Sequence, residues 1–238
     1  MSTRKPLICL FGLFILLQGC SKQDQDNSAA TSVNIISSAT AEEVIKVAPK
    51  LVSAGKAVYE RNCIFCHQAD AIGKPGFAPS LTNPEFLSTA SDKFLMGTIR
   101  DGRAGTGMPP FAHLGRADVE AVVAYLRSHA KLPNISARID AEPHTQGDER
   151  LGKVWFEDIC STCHGPQGDG YIAGGTGTAI GKTGFLSKAS DGFIRETIKN
   201  GRSNTRMLGF SGPAALAALS ERDINDIIAY LRTVPSRN

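Results

Sequence analysis

Two pentapeptides decide how this 238-residue chain is read: Cys63-Ile64-Phe65-Cys66-His67 and Cys160-Ser161-Thr162-Cys163-His164. C-x-x-C-H is the attachment pattern of a c-type haem. Two thiols three residues apart can each form a thioether to one vinyl group of a single porphyrin. The adjacent imidazole then lies under the ring, where it can meet the iron. A C-x-x-C pair by itself could also be half a zinc site or a redox dithiol. Here each pair is followed at once by His, and no further Cys stands nearby to complete a tetrad. The sequence therefore predicts two covalently bound haems, one on Cys63, Cys66 and His67 and one on Cys160, Cys163 and His164.

Outward from the pentapeptides, the similarity continues as an internal repeat. Gly55, Tyr59 and Cys63 align with Gly152, Phe156 and Cys160 at an offset of 97. Thr98-Ile99-Arg100-Asp101-Gly102-Arg103 aligns with Thr197-Ile198-Lys199-Asn200-Gly201-Arg202 at 99, as do Met108 with Met207 and Phe111 with Phe210. Tyr125-Leu126-Arg127 aligns with Tyr230-Leu231-Arg232 at 105, so the second copy carries small insertions. Each half is small for a self-sufficient core, and a porphyrin at its centre would supply apolar volume. The 24 glycines and the low aromatic content fit loop-rich, cofactor-centred domains. Helical spacing appears over Leu51–Tyr59, over a segment capped by Ser91 or Asp92, and over Asp118–His129. The second copy repeats it over Leu151–Cys160, Asp191–Asn200 and Ser220–Thr233. No stretch alternates like a strand. The proline-containing stretch 133–146 reads as an interdomain linker between domains at 48–132 and 147–238.

On these motifs each half resembles a class I cytochrome c domain, and about three-quarters of the chain resembles a dihaem c-type cytochrome. The resemblance implies an all-α fold: two tandem cytochrome c-like domains, each a few helices wrapped around one haem. It puts Gly55, Tyr59 and Tyr125, and likewise Gly152, Phe156 and Tyr230, at a crossing of first and last helices. It also implies a distal methionine on the loop before the last helix. Met108 lies 41 residues after His67 and Met207 lies 43 after His164, so the implied iron ligands are His67 with Met108 and His164 with Met207. Met96 falls on the apolar face of a helix and reads as core packing. His113 is the rival ligand for the first iron, while His129 and His144 read as surface residues. A soft thioether favours ferrous iron and raises the potential relative to two histidines. Family members orient the axial His through a proline carbonyl, a role Pro79 fits. The second copy has no proline in 174–184, which leaves the orientation of His164 open. Arg103 and Arg202 are either haem-propionate partners or solvated arginines. Gly174-Gly175-x-Gly177 follows no predicted strand and is not read as a nucleotide loop.

At the other end of the chain, Arg4-Lys5 and the apolar run Leu7–Leu17 read as a signal sequence too short for an ordinary membrane span. Leu17-Gln18-Gly19-Cys20 resembles a bacterial lipobox, which implies a leader of residues 1–19, a lipid on Cys20 and a flexible tether over 20–47. Without Arg4 and Lys5 the chain has 24 basic and 23 acidic side chains, a balance that gives no reason to expect a nucleic-acid partner. The expected protein is a membrane-anchored carrier on the periplasmic side. It would pass single electrons from a quinol-oxidising complex or dehydrogenase to a terminal reductase, an oxidase or another cytochrome. Two other readings remain: a haem subunit of a larger oxidoreductase, and a dihaem peroxidase or dehydrogenase with one open iron.

Overall fold

Helix α1 (Pro49–Asn62) runs straight into the first pentapeptide, whose own turn is α2 (Ile64–His67). The short α3 (Pro84–Thr89), then α4 (Asp92–Asp101) and α5 (Gly115–Arg127) complete the first half. After α6 (Ser136–Asp140) the plan repeats. Helix α7 (Glu149–Trp155) passes through a π turn over Phe156–Cys160 into α8 (Ser161–His164). It is followed by α9 (Thr183–Leu186), α10 (Asp191–Asn200) and α11 (Glu221–Thr233). This computed structural model describes residues 48–213, 215 and 217–234. The leader, Cys20 and the tether lie outside the described residues. Among those described there is no strand, only an isolated bridge between Lys74 and Ala78, and no helix is long and apolar enough to cross a membrane.

Several helices start where the sequence supplies a side-chain acceptor for an orphan N–H. Asn83 caps α3, Ser91 caps α4 and Ser190 caps α10, each accepting from the N–H three residues on. Ser220 and Asp223 close a reciprocal capping box on α11. Helix α5 begins at Gly115, ahead of the expected Asp118, because a 3-10 turn over Ala112–Leu114 feeds directly into it.

In each half the first and last helices cross at a glycine. A Cβ on Gly55 would lie 1.8 Å from the Ala121 carbonyl oxygen, and one on Gly152 would lie 1.8 Å from that of Asp226. Only a residue without a side chain lets the backbones approach so closely. One turn further on, Tyr59 meets Tyr125 at 5.2 Å between ring centroids and Phe156 meets Tyr230 at 5.3 Å. An arginine then ties the last helix to the middle of each half. Arg127 donates to the carbonyls of Leu87 and Ala90 and to Asp92; Arg232 donates to those of Leu186 and Ala189 and to Asp191. These orphan carbonyls at the ends of α3 and α9 sit under the apolar core, where an unpaired acceptor is costly.

The stretch expected as an interdomain linker is partly core. Ile139 on α6 is fully buried, and a Cβ on Gly192 would lie 2.1 Å from its carbonyl oxygen, so α6 rests on α10. Ser88 donates to the Pro133 carbonyl, and Arg195 pairs with Glu142 and donates to Thr145. The reason is the apolar pair Ile135, at the N-cap of α6, and Ile139, one turn further on, which the two prolines obscure in the sequence. One continuous apolar cluster accordingly runs through both halves. At its centre Phe94 stacks on Phe193 at 5.0 Å and 24°, with Phe185 edge-on to Phe94 and Phe86 edge-on to Phe193. The four rings are two repeat-equivalent pairs, so the halves meet about a local pseudo-two-fold.

Candidate functional site

The first pentapeptide forms one helical turn. His67 N–H bonds to the Cys63 carbonyl at 3.0 Å, which places Cys63, Cys66 and His67 on successive corners of that turn. The turn ends at Gln68 with φ 66°, and the Tyr59 hydroxyl donates to the Gln68 carbonyl at 2.6 Å, fixing the strained corner against α1. The buried imidazole of His67 has Nδ1 3.0 Å from the Pro79 carbonyl oxygen. A carbonyl can only accept, so Nδ1 carries the proton and Nε2 presents a lone pair. Desolvation lowers the pKa of His67, with the Pro79 bond opposing it, which favours the neutral ring that a metal requires.

The second pentapeptide repeats the turn and answers the question of its missing proline. His164 Nδ1 lies 2.7 Å from the Thr178 carbonyl oxygen. Thr178 stands at the repeat position of Pro79, and it follows its histidine by 14 residues rather than 12 because two residues are inserted in the intervening loop. The glycines that looked like a nucleotide loop are what let this longer loop lie against the histidine. Gly177 N–H donates to the Cys163 carbonyl at 2.7 Å. A Cβ on Gly177 would lie 2.7 Å from the His164 ring, and one on Gly175 would lie 2.3 Å from the Cys163 carbonyl oxygen. Desolvation lowers the His164 pKa as well, opposed by the Thr178 bond and reinforced by the positive charge of Arg103.

The methionine loops are built alike. Arg103 N–H donates to the Met108 carbonyl at 3.0 Å, and Arg202 N–H donates to that of Met207 at 2.7 Å. Thr106 and Thr205 hydroxyls accept from the N–H groups of the same two methionines. Each loop opens at a glycine of positive φ, Gly102 at 64° and Gly201 at 68°. Each closes where Phe111 or Phe210 N–H bonds back to Ile99 or Ile198 at the end of the middle helix. Both methionine side chains are half-buried. Met96 is also half-buried against the core, and His113 is exposed beside Phe111. His144 is exposed next to Asp191. His129 departs from the surface expectation, because its ring packs edge-on against Tyr125 at 5.0 Å and its Nε2 is buried.

The arginines that follow Gly102 and Gly201 do not point to solvent. Each crosses to the other half. Arg103 Nη2 donates to the Ala179 carbonyl at 2.5 Å, and its guanidinium lies 5.0 Å from the Phe185 ring centroid. Arg202 lies over Phe86 and Phe193 and donates to Thr89 and Thr197. Burial pulls the pKa of each guanidinium down to about 10.

These residues fit a covalently held haem in each half. The two thiols and the imidazole of each pentapeptide share one turn, each imidazole has Nε2 free, and a glycine makes room for the second ring. Burial pushes the Cys63 thiol up to about 11 and Cys160 up to about 12, the opposite of an activated redox dithiol. Among the described residues no group of three or more His, Cys, Asp or Glu side chains converges as a metal-ion site would.

Fold and site together define a dihaem c-type cytochrome: two tandem cytochrome c domains with two covalently bound c-type haems. Residues 50–126 match the model of the family "Cytochrome C oxidase, cbb3-type, subunit III", and residues 150–235 match that of "Cytochrome c". The chain is 31% identical over 190 residues to the Cbb3-type cytochrome c oxidase subunit CcoP of Rubrivivax gelatinosus, covering 79% of this chain and 56% of that protein. It is 24% identical over 200 residues to the CcoP subunit of Azospirillum sp. (strain B510), covering 77% of this chain and 62% of the relative. Against the FixP subunit of Sinorhizobium medicae (strain WSM419) it is 31% identical over 128 residues, covering 50% and 40%. The chain thus spans roughly half the length of the curated relatives it matches. A chain of the Kuenenia stuttgartiensis reducing HAO-like protein complex aligns at TM-score 0.49 and 20% identity, covering 80% of this chain and all of that one.

Proposed function

We propose that this chain relays single electrons at the periplasmic face of a bacterial membrane, with His67 and Met108 holding one iron and His164 and Met207 the other. The observation that carries this reading is the identical bonding of the two methionine loops. The same Arg-to-Met backbone bond and the same threonine acceptor fix each sulfur's carrier segment in both halves. Each bound haem supplies an iron that holds or releases one electron. The chain's residues do the rest. Cys63, Cys66, Cys160 and Cys163 fix the ring covalently. The Pro79 and Thr178 carbonyls hold the histidine rings in one tautomer. The Met108 and Met207 thioethers would be the second protein ligand of each iron and would leave oxygen or peroxide no open site. That arrangement is a carrier's and disfavours a dihaem peroxidase or dehydrogenase.

The donor in this reading is a quinol-oxidising complex or a dehydrogenase, and the acceptor is a terminal reductase, an oxidase or another cytochrome. Similarity to cbb3 oxidase subunits supports an oxidase as acceptor, and equally supports a second reading in which the chain is a fixed subunit of such a complex. Lipid on Cys20, joined by a tether over 20–47, would confine the domains to the membrane surface and raise their effective concentration near membrane partners.

The test is spectroscopic. Both irons should be six-coordinate and low-spin. Met108→Ala should remove one thioether-to-iron charge-transfer band and admit carbon monoxide at one haem, and Met207→Ala should do so at the other, with two haems retained in each. Carbon monoxide binding by the unaltered ferrous protein would move the reading to the enzyme class. Fatty-acid labelling abolished by Cys20→Ser tests the anchor.

A further inference from the structure

The two arginines that cross between the halves occupy equivalent places but have different surroundings. Near Arg202 stands a carboxylate of the opposite half: Glu85 raises the Arg202 pKa against the effect of burial and accepts from Ser203 N–H and Oγ at 3.1 and 2.9 Å. The repeat position of Glu85 is Gly184. A Cβ there would lie 2.5 Å from Ala104 N, so no carboxylate can grow at that point. Arg103 is therefore left without a protein counter-charge among the described residues. Its neighbours are the Ala179 carbonyl, the Phe185 face and Tyr171. Its Nε is buried and bonds to nothing in the protein. A guanidinium taken out of water is stable only with an anion and with its remaining donors satisfied.

The place where this cation is held is the histidine loop of the second domain. Ala179, which accepts from Arg103, is the residue after Thr178, whose carbonyl orients His164. The anion that a c-type haem carries is its pair of propionates, which a planar guanidinium binds through paired N–H groups. We propose that Arg103, carried on the methionine loop of the first domain, binds a propionate of the haem in the second domain. The loop that presents Met108 to one iron then also sets the potential of the other. Arg202 has no equivalent task, because Glu85 already answers its charge.

The sign follows from electrostatics. A cation beside the second haem disfavours its more positive ferric state, so removing Arg103 must lower that haem's potential. Potentials are measured on the complete two-haem protein by spectroelectrochemical titration. The second haem is identified as the one whose potential falls in Met207→His, where two histidines replace the His–Met pair. Arg103→Ala should shift the second haem about tenfold toward ferric, about 59 mV for one electron, and leave the first within twofold. Arg103→Lys, which keeps the charge, should restore most of the shift. Phe94→Leu, which loosens the same interface but keeps Arg103, should not lower the second haem selectively.

The proposal is overturned if Arg103→Ala moves the first haem instead, moves both equally, or moves neither. It is also overturned if Arg103→Lys behaves like Arg103→Ala or Phe94→Leu reproduces the selective shift. The inference rests on the two-haem reading with Met207 on the second iron, and the outcomes separate. If Met207→His moves no potential, the axial assignment fails. If it moves one haem and Arg103→Ala moves the other, the axial assignment stands and the cross-domain one falls.

Discussion

The first histidine turn is held by a short loop and a proline; the second is held by a longer loop made pliable by glycine. Both end in a carbonyl bonded to Nδ1, at 3.0 Å from Pro79 and 2.7 Å from Thr178. The first loop fixes its carbonyl partly by covalent stiffness, since proline sets φ and reduces the states available to the unfolded chain, and partly by Gly73, φ 80°, on which a Cβ would lie 2.5 Å from the Pro79 carbonyl oxygen. The second fixes it by close packing. Gly168 and Gly170 take positive φ, Gly175 lies on the Cys163 carbonyl and Gly177 on the His164 ring, both at distances no side chain allows. The comparison teaches that the fold specifies a position for an acceptor, and a backbone carbonyl from any residue type can fill it.

The largest effect should come where the halves are alike. Gly152→Ala drives a Cβ into the Asp226 carbonyl and Gly55→Ala does the same at Ala121. Each should cost about 3 kcal/mol or more, the upper range for overpacking, seen as a drop in the thermal midpoint of the holoprotein. Equal losses would show that the crossings are equivalent; a tolerant half would break the analogy.

The anchoring arginines should separate the halves. Asp191 is 5% exposed beside Arg232, whereas Asp92, beside Arg127, is 58% exposed. Asp191→Asn should cost about 1.5–3 kcal/mol, as for hydrogen bonds to charged groups. Asp92→Asn should cost less than about 1 kcal/mol, the range of solvent-exposed pairs. Burial acts to raise the Asp191 pKa, but the Thr145 N–H and the Arg232 guanidinium outweigh it and hold the pKa below the usual carboxylate value. A depressed folded pKa means stability that is fully present above the unfolded value of about 3.9 and is lost as pH falls through the folded one. Acid unfolding should therefore lose this contribution below about pH 4, and Asp191→Asn should flatten that part of the midpoint-against-pH curve.

Gly177→Ala tests the pliable loop. Its Cβ would meet the His164 ring, so a loss of about 1–3 kcal/mol is expected together with an altered charge-transfer band at the second haem alone. The first half already has Ala78 at the equivalent place, and Ala78→Gly should cost only about 0.5–1 kcal/mol in chain entropy. The smallest effect should be Pro79→Ala, which keeps the carbonyl and loses only stiffness, about 0.4–1 kcal/mol by thermal melting. A spectrum changed as much as by Gly177→Ala would mean that the proline ring itself holds His67.

Much was legible because covalent chemistry and backbone periodicity are local. The spacing of Cys63, Cys66 and His67 defines an attachment turn without reference to anything distant. The offsets of 97, 99 and 105 expose the repeat, and Gly55 and Gly152 mark the helix crossings. The anchoring role of Arg127 and Arg232 had only the repeat as a signal, because the carbonyls they satisfy lie about forty residues away in sequence. The burial of Ile139 was hidden by the prolines around it.

The sequence by itself determined the number of haems, the helical class and the equivalence of the two methionine loops, since each depends on residue type at short, fixed spacing. Only the tertiary structure decided which carbonyl faces His164, because a carbonyl has no sequence signature. Only it decided where Arg103 and Arg202 go. Their shared position after Gly102 and Gly201 is written in the repeat, but their reach into the opposite half follows from the stacking of Phe94 on Phe193, and a contact between distant helices leaves no spacing to read.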